Sequence, residues 1–136
     1  MVDTNILIGL ASGLITQYLI GEALETLYIL GVPGSVVREL ERLAESSPSL
    51  KTRKLARRAL DILASNKLQH IVLETMDAGD VDDEILLTAV ELKNKGYRIV
   101  VATNDKGLRK RLRSHGIPTL YYRETEGLME VEWLPP

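Results

Sequence analysis

RIVVAT (residues 98–103) runs through Asn104 and Asp105 into KGLRKRLRS (residues 106–114), and this passage decides the fold. Its β-branched residues are those expected of a strand buried within a parallel sheet. The basic segment that follows reads as a helix, stopped at His115-Gly116. A strand passing through a short polar turn into a helix is the repeating unit of an α/β fold. In open α/β sheets, sites form beyond the carboxyl ends of the strands. Asp105, directly after the strand, is therefore expected at such an edge.

The same alternation continues outward in both directions. Upstream, residues 81–95 read as a helix that follows Gly79-Asp80 and ends at Gly96. LQHIVL (68–73) and LYILGV (27–32) read as strands, the second closed by Pro33-Gly34. Between them, Ser35 is expected to cap a helix through Val36, Val37, Leu40 and Leu43. Pro48 separates it from a second helix over residues 50–64, with Leu55, Ala59, Ile62 and Leu63 on one face. Residues 6–26 are apolar at helical spacing, with a break at Gly13. Downstream, residues 118–122 form a strand and residues 129–133 a last one. The pattern predicts a single domain over residues 1–136: a three-layer α/β sandwich around a central, mostly parallel sheet of about five strands.

The bulk properties fit one soluble domain and narrow its chemistry. The 136 residues are 45% hydrophobic and 26% charged. No apolar run approaches the roughly 20 residues needed to cross a bilayer. The N-terminus lacks a basic stretch followed by an apolar run, so a cytoplasmic location is expected, with no membrane partner. The absence of cysteine excludes disulfides and thiolate zinc sites, and only His70 and His115 could supply imidazole. A metal site would be built from oxygen donors, which favours Mg²⁺ or Mn²⁺.

Asp3 follows the shortest conceivable first strand, Met1-Val2, so it is expected at the same sheet edge as Asp105. With so little chain before it, that edge is expected to be less well fixed. Thr4-Asn5 and Thr103-Asn104 bring small polar groups to the same two turns, where Asn5, Thr103 and Asn104 could orient carboxylates or hold a metal-bound water. Asp82, near the start of its helix, aligns with Ile85, Leu86 and Ala89 at 100° per residue, which is the inward face. A carboxylate there is costly unless a cation or hydrogen-bond donors satisfy it. Asp83 is rotated away by about 100° and is expected to be more exposed. Glu39 poses the same question in a helix flanked by Val36, Val37, Leu40 and Leu43.

Four acids meeting at one edge would repel each other and a phosphodiester alike. Divalent cations reverse that: they neutralise the acids, bind phosphate oxygens and acidify water. The formal net charge is −2, but the cations are concentrated. Lys51, Arg53, Lys54, Arg57 and Arg58 form one cluster; Lys106, Arg109, Lys110, Arg111 and Arg113 form another. An acidic pocket beside basic surfaces suits a metal nuclease that holds backbone phosphates.

The segments DTN (3–5), VPGSVVRELERL (32–43), DDEILLTA (82–89) and VVATNDKGLRKRLRSHGIP (100–118) together resemble the PIN-domain nucleases. The branch most similar is shared by archaeal proteins and eukaryotic rRNA-processing endonucleases, with VapC-type toxins more distant. The resemblance implies a PIN-like fold and a metal-dependent endoribonuclease, acting in RNA processing or as a toxin. Asp3, Glu39, Asp82 and Asp105 match the family acids, with Asp83 as the neighbouring alternative. Asp3, Asp82 and Asp105 are implied as metal ligands for Mg²⁺ or Mn²⁺. The implied partners are an RNA substrate, held in part by Lys106, Arg109, Lys110 and Arg113, and an antitoxin or a ribosome-assembly partner. Such proteins are often dimeric, and the apolar region 15–30 could serve either an interface or the core.

Each feature also has a structural use. Asp3 and Asp105 could cap the helices they precede, and Asp82 could complement a helix dipole. Glu39 could be surface charge on an amphipathic helix, and the basic runs could be solvated faces. The competing function is a catalytically silent PIN-like module that binds RNA or protein. A module of that kind gains little from a cluster of acids. A flavodoxin-like response domain would place paired acids early and a lysine late, which this chain does not.

Overall fold

A computed structural model describes residues 1–75 and 77–134. The chain forms α1 (Thr4–Ser12), α2 (Gln17–Leu24), β1 (Gly31–Pro33), α3 (Gly34–Ser46), α4 (Leu50–Ala64), β2 (Ile71–Leu73), α5 (Val81–Asn94), β3 (Val101–Ala102), α6 (Lys106–Ser114), β4 (Thr119–Arg123) and β5 (Leu128–Glu132). β1 and β2 pair in parallel, as do β3 and β4, while β5 runs antiparallel to β4. This is the α/β architecture expected from the alternating pattern.

Met1, Val2 and Asp3 join these two sheets. The Asp3 amide donates to Ala102 O at 3.0 Å, and the Ala102 amide donates to Met1 O at 2.7 Å. On the other side, the Val2 amide donates to Gly31 O at 3.1 Å. The backbone order across the molecule is thus β2, β1, Met1–Asp3, β3, β4, β5, with Val2 and Ala102 forming a parallel bridge. The expectation that this short segment would be loosely held is overturned. Hydrogen bonds pin it on both sides, and Val2 is buried against the core.

Several boundaries move. Leu27 and Ile29 are 98% and 77% exposed, so LYIL is not strand; β1 starts at Gly31, where β2 supplies partners. Glu25 ends α2 in a left-handed conformation (φ 55°), which turns the chain before the strand begins. β2 likewise begins at Ile71 rather than residue 68. Ser35 does not cap α3. Pro33 occupies the cap position without a side-chain hydrogen bond, and Ser35 falls in the first turn. The break at Gly13 is real: φ there is 82°, and Thr16 starts α2 by accepting from the Leu19 amide.

The core is continuous. Ile6, Leu7, Val36, Leu40, Ile85, Val101, Leu108 and Leu112 are all 2% exposed or less. The apolar 15–30 region divides: Ile15, Ile20 and Leu30 are core, whereas Tyr18, Leu27 and Ile29 face solvent. Among the described residues, no helix is long and apolar enough to cross a membrane.

Candidate acidic site at the strand ends

Three aspartates reach one place because three helices begin there. Asp3 caps α1, its Oδ1 accepting from the Ile6 amide at 2.9 Å. Asp105 caps α6, its Oδ1 accepting from the Leu108 amide at 2.8 Å. Asp80 caps α5 through the Asp83 amide at 2.7 Å, and Asp82 stands in the first turn behind it. Each carboxylate therefore sits at the positive end of a helix dipole. The capping uses anticipated for Asp3 and Asp105 are real, and they coexist with convergence.

The electrostatics show that convergence. Burial pushes the Asp3 carboxyl above its ordinary range; hydrogen bonds from Thr103 and Ile6 oppose this, while the charges of Asp82 and Asp105 reinforce it. Asp82 is raised by burial first, then by Asp105 and Asp80, with Arg111 pulling it back and Asp83 adding to the rise. The three form a gradient of access: Asp3 is buried, Asp82 half-buried and Asp105 exposed. Thr103, wholly buried, links two of them. Its hydroxyl accepts from the Asp105 amide at 3.1 Å and its side chain hydrogen-bonds Asp3.

Other expected residues are placed differently. Asp83 turns to Arg111 at 2.5 Å. Glu39 forms a two-point pair with Arg42, at 2.8 and 3.0 Å, within its own helix. It nevertheless lines, with Ser35, Arg38, Asp80, Asp82 and Glu84, an open depression of about 610 Å³. Asn104 does not turn to the acids. Its amide nitrogen donates to Tyr122 O at 2.9 Å and its oxygen accepts from the Tyr122 amide at 2.7 Å, which ties the turn to β4. Asn5 is exposed in the first turn of α1. In the basic helix, Arg109 pairs with Glu132 at 2.8 Å and lies 4.0 Å over the Tyr121 ring, and Arg113 reaches the same glutamate at 3.5 Å. Those arginines stabilise β5 rather than presenting bare charge. Lys106 and Lys110 are exposed.

Two residues were not read from the sequence as part of the site. Glu84 is buried beside Asp82 and pairs with Arg38 at 3.8 Å. The signal was there: Glu84 and Thr88, four residues apart, fall among Ile85, Leu86 and Ala89 on the buried side of α5. Ser35 carries a buried Oγ with no hydrogen-bond partner. A buried hydroxyl without a partner costs about 1–3 kcal/mol, and nothing local in the sequence announces it.

Among the described residues, no group of three or more acidic or histidine side chains is drawn tightly enough to hold a metal ion by itself. The donors nonetheless suit a hard divalent cation: carboxylate oxygens whose charges are mutually unfavourable, with an unsatisfied hydroxyl, Ser35 Oγ, lining the adjoining depression. The larger cavity, about 1200 Å³, is lined mainly by apolar residues and by none of the four acids.

Residues 1–125 match the family described as PIN-like domain. The chain belongs to that family. This PIN-like domain is 34% identical over 123 residues to "Ribonuclease VapC4" of Methanocaldococcus jannaschii, covering 90% of this chain and 88% of that protein. It also superposes on the solved "PIN domain endonuclease Utp24" with a TM-score of 0.69 and 29% identity, over 98% of this chain and 90% of the other.

Proposed function

We propose that this PIN-like domain is a metal-dependent endoribonuclease that hydrolyses RNA phosphodiester bonds at Asp3, Asp82 and Asp105, using Mg²⁺ or Mn²⁺. The observation that carries the reading is the placement of three aspartates from distant parts of the chain at the starts of α1, α5 and α6, with Thr103 hydrogen-bonded to both Asp3 and the Asp105 amide and the charges of Asp82 and Asp105 bearing on Asp3. The relatives support it, since one is named a ribonuclease and another an endonuclease. Bound there, a divalent ion would neutralise the acids, engage a phosphate oxygen and supply an acidified water.

The chain's own groups have separable tasks. Asp3, fixed by Thr103 and the Ile6 amide, is the rigid donor; Asp105, exposed at the mouth, is the donor nearest solvent. Asp82 completes the set from the opposite helix, and Asp83 holds α5 to α6 through Arg111. Glu39 serves the margin of the site once its carboxylate leaves Arg42. Thr103 sets the spacing of Asp3 and Asp105, and Asn104 fixes the turn between them. In this reading the chain acts in the cytoplasm, either as a toxin with an antitoxin partner or as a processing enzyme with a ribosome-assembly partner. A homodimer fits either.

The test is cleavage of a labelled single-stranded RNA, and of DNA of the same sequence, with Mn²⁺, Mg²⁺ or EDTA. The wild type should cut RNA only with metal. Asp3→Asn, Asp82→Asn and Asp105→Asn should each lose on the order of 10²-fold or more while keeping the wild-type circular dichroism spectrum. Full activity in all three variants defeats the assignment.

A further inference from the structure

We infer that the RNA strand is held along α4, by Lys51, Arg53, Lys54, Arg57 and Arg58, rather than along α6. The inference rests on the ribonuclease reading above and adds where the substrate backbone lies.

At 100° per residue these five positions fall on one continuous arc of about 160°. Ala56, Ala59 and Leu63 occupy the opposite arc and are buried. α4 packs against α3 and α1, so its apolar arc is used and its basic arc is left to solvent. Lys51, Lys54, Arg57 and Arg58 are exposed and Arg53 is half-buried. Among the described residues, none of the five has an ion-pair partner. α6 differs. Arg109 and Arg113 share Glu132, and Arg111 pairs with Asp83, so two acids offset two of its five charges and only Lys106 and Lys110 are without an ion pair among the described residues.

The chain has 19 acidic residues against 17 basic ones, yet the basic arc of α4 carries a single acid, Asp61, which is exposed and forms no ion pair with the five bases among the described residues. Like charges at i,i+3 and i,i+4, as in Lys51/Lys54 and Lys54/Arg58, disfavour the isolated helix. The face spans roughly 10 Å of helix, a length over which a nucleic-acid strand presents several phosphates. A polyanion compensates all five charges at once and gains counter-ion release.

The experiment is fluorescence anisotropy with a labelled single-stranded RNA in EDTA, which separates binding from cleavage, over a series of salt concentrations. One variant carries Lys54→Gln, Arg57→Gln and Arg58→Gln; the other carries Lys106→Gln and Lys110→Gln. The α4 variant should bind about tenfold or more weakly at low salt, and its slope of log affinity against log salt should flatten by about 2, at roughly 0.7 per lost phosphate contact. The α6 variant should lose less than about threefold. The α4 variant should melt at or above the wild-type temperature, since like-charge pairs are removed. RNA affinity unchanged in the α4 variant, or an equal loss in the α6 variant, overturns the inference. Wild-type protein that binds RNA through α4 but cuts it with no metal instead overturns the ribonuclease reading and leaves the α4 surface standing.

Discussion

Asp3 serves the fold and the site with one carboxylate, and the two duties can be separated by a single atom change. Asparagine caps helices as well as aspartate does, so Asp3→Asn keeps the Ile6 bond and discards only the charge. Burial and two acidic neighbours raise the Asp3 carboxyl above its ordinary value of 3.8. A raised folded-state value means that the stability tied to the neutral acid is fully present below 3.8 and is lost as pH climbs through the raised value. Asp3→Asn should therefore melt higher than wild type at pH 7 in EDTA, and the gap should close as pH falls below the ordinary aspartate range. Calorimetry at both pH values checks this, and a lower melting temperature for the variant at pH 7 contradicts it. At this scale the sequence was readable where a residue's place follows from its own element. Asp3 and Asp105 follow the paired segments at Val2 and β3 and precede helices, and Asp82 faces inward on the helical wheel. The unpartnered hydroxyl of Ser35 and the Glu39–Arg42 pair were not, because the packing of a buried hydroxyl and the choice of ion-pair partner are decided in three dimensions.

Among the elements, the turn from β3 to α6 matters most, since it fixes Asp105. Asn104 clamps it to β4 by accepting from and donating to the backbone of Tyr122, 18 residues away. Asn104→Ala removes both bonds from a solvent-accessible turn and should cost about 1–2 kcal/mol, with cleavage reduced through a looser Asp105. Urea denaturation measures the first effect, and an unchanged midpoint would contradict the clamp. The sequence placed Asn104 in the right turn but aimed it at the acids, because a side chain's partner on another strand leaves no local trace. Strand limits blurred for a related reason. LYIL has strand composition, but strands exist only where a neighbour can pair, and β2 offers Ile71–Leu73 to Gly31–Pro33 alone. Helices, which satisfy their own backbone, were placed more accurately, as with α4 and α6.

Across the whole molecule, Met1–Asp3 is the join on which the site depends. It bridges β1 and β3, and so carries the Asp3 carboxylate to the edge where α5 and α6 begin. The α/β class was legible from alternation of strands and helices, while the joining role of so short a segment was not. The most direct measurement is an anomalous difference map from crystals grown with Mn²⁺. A manganese peak ligated by Asp3, Asp82 and Asp105, with the three carboxylates drawn closer than in the metal-free protein, is the expected result. At saturating Mn²⁺, carboxylates left apart with no peak between them would contradict the metal site.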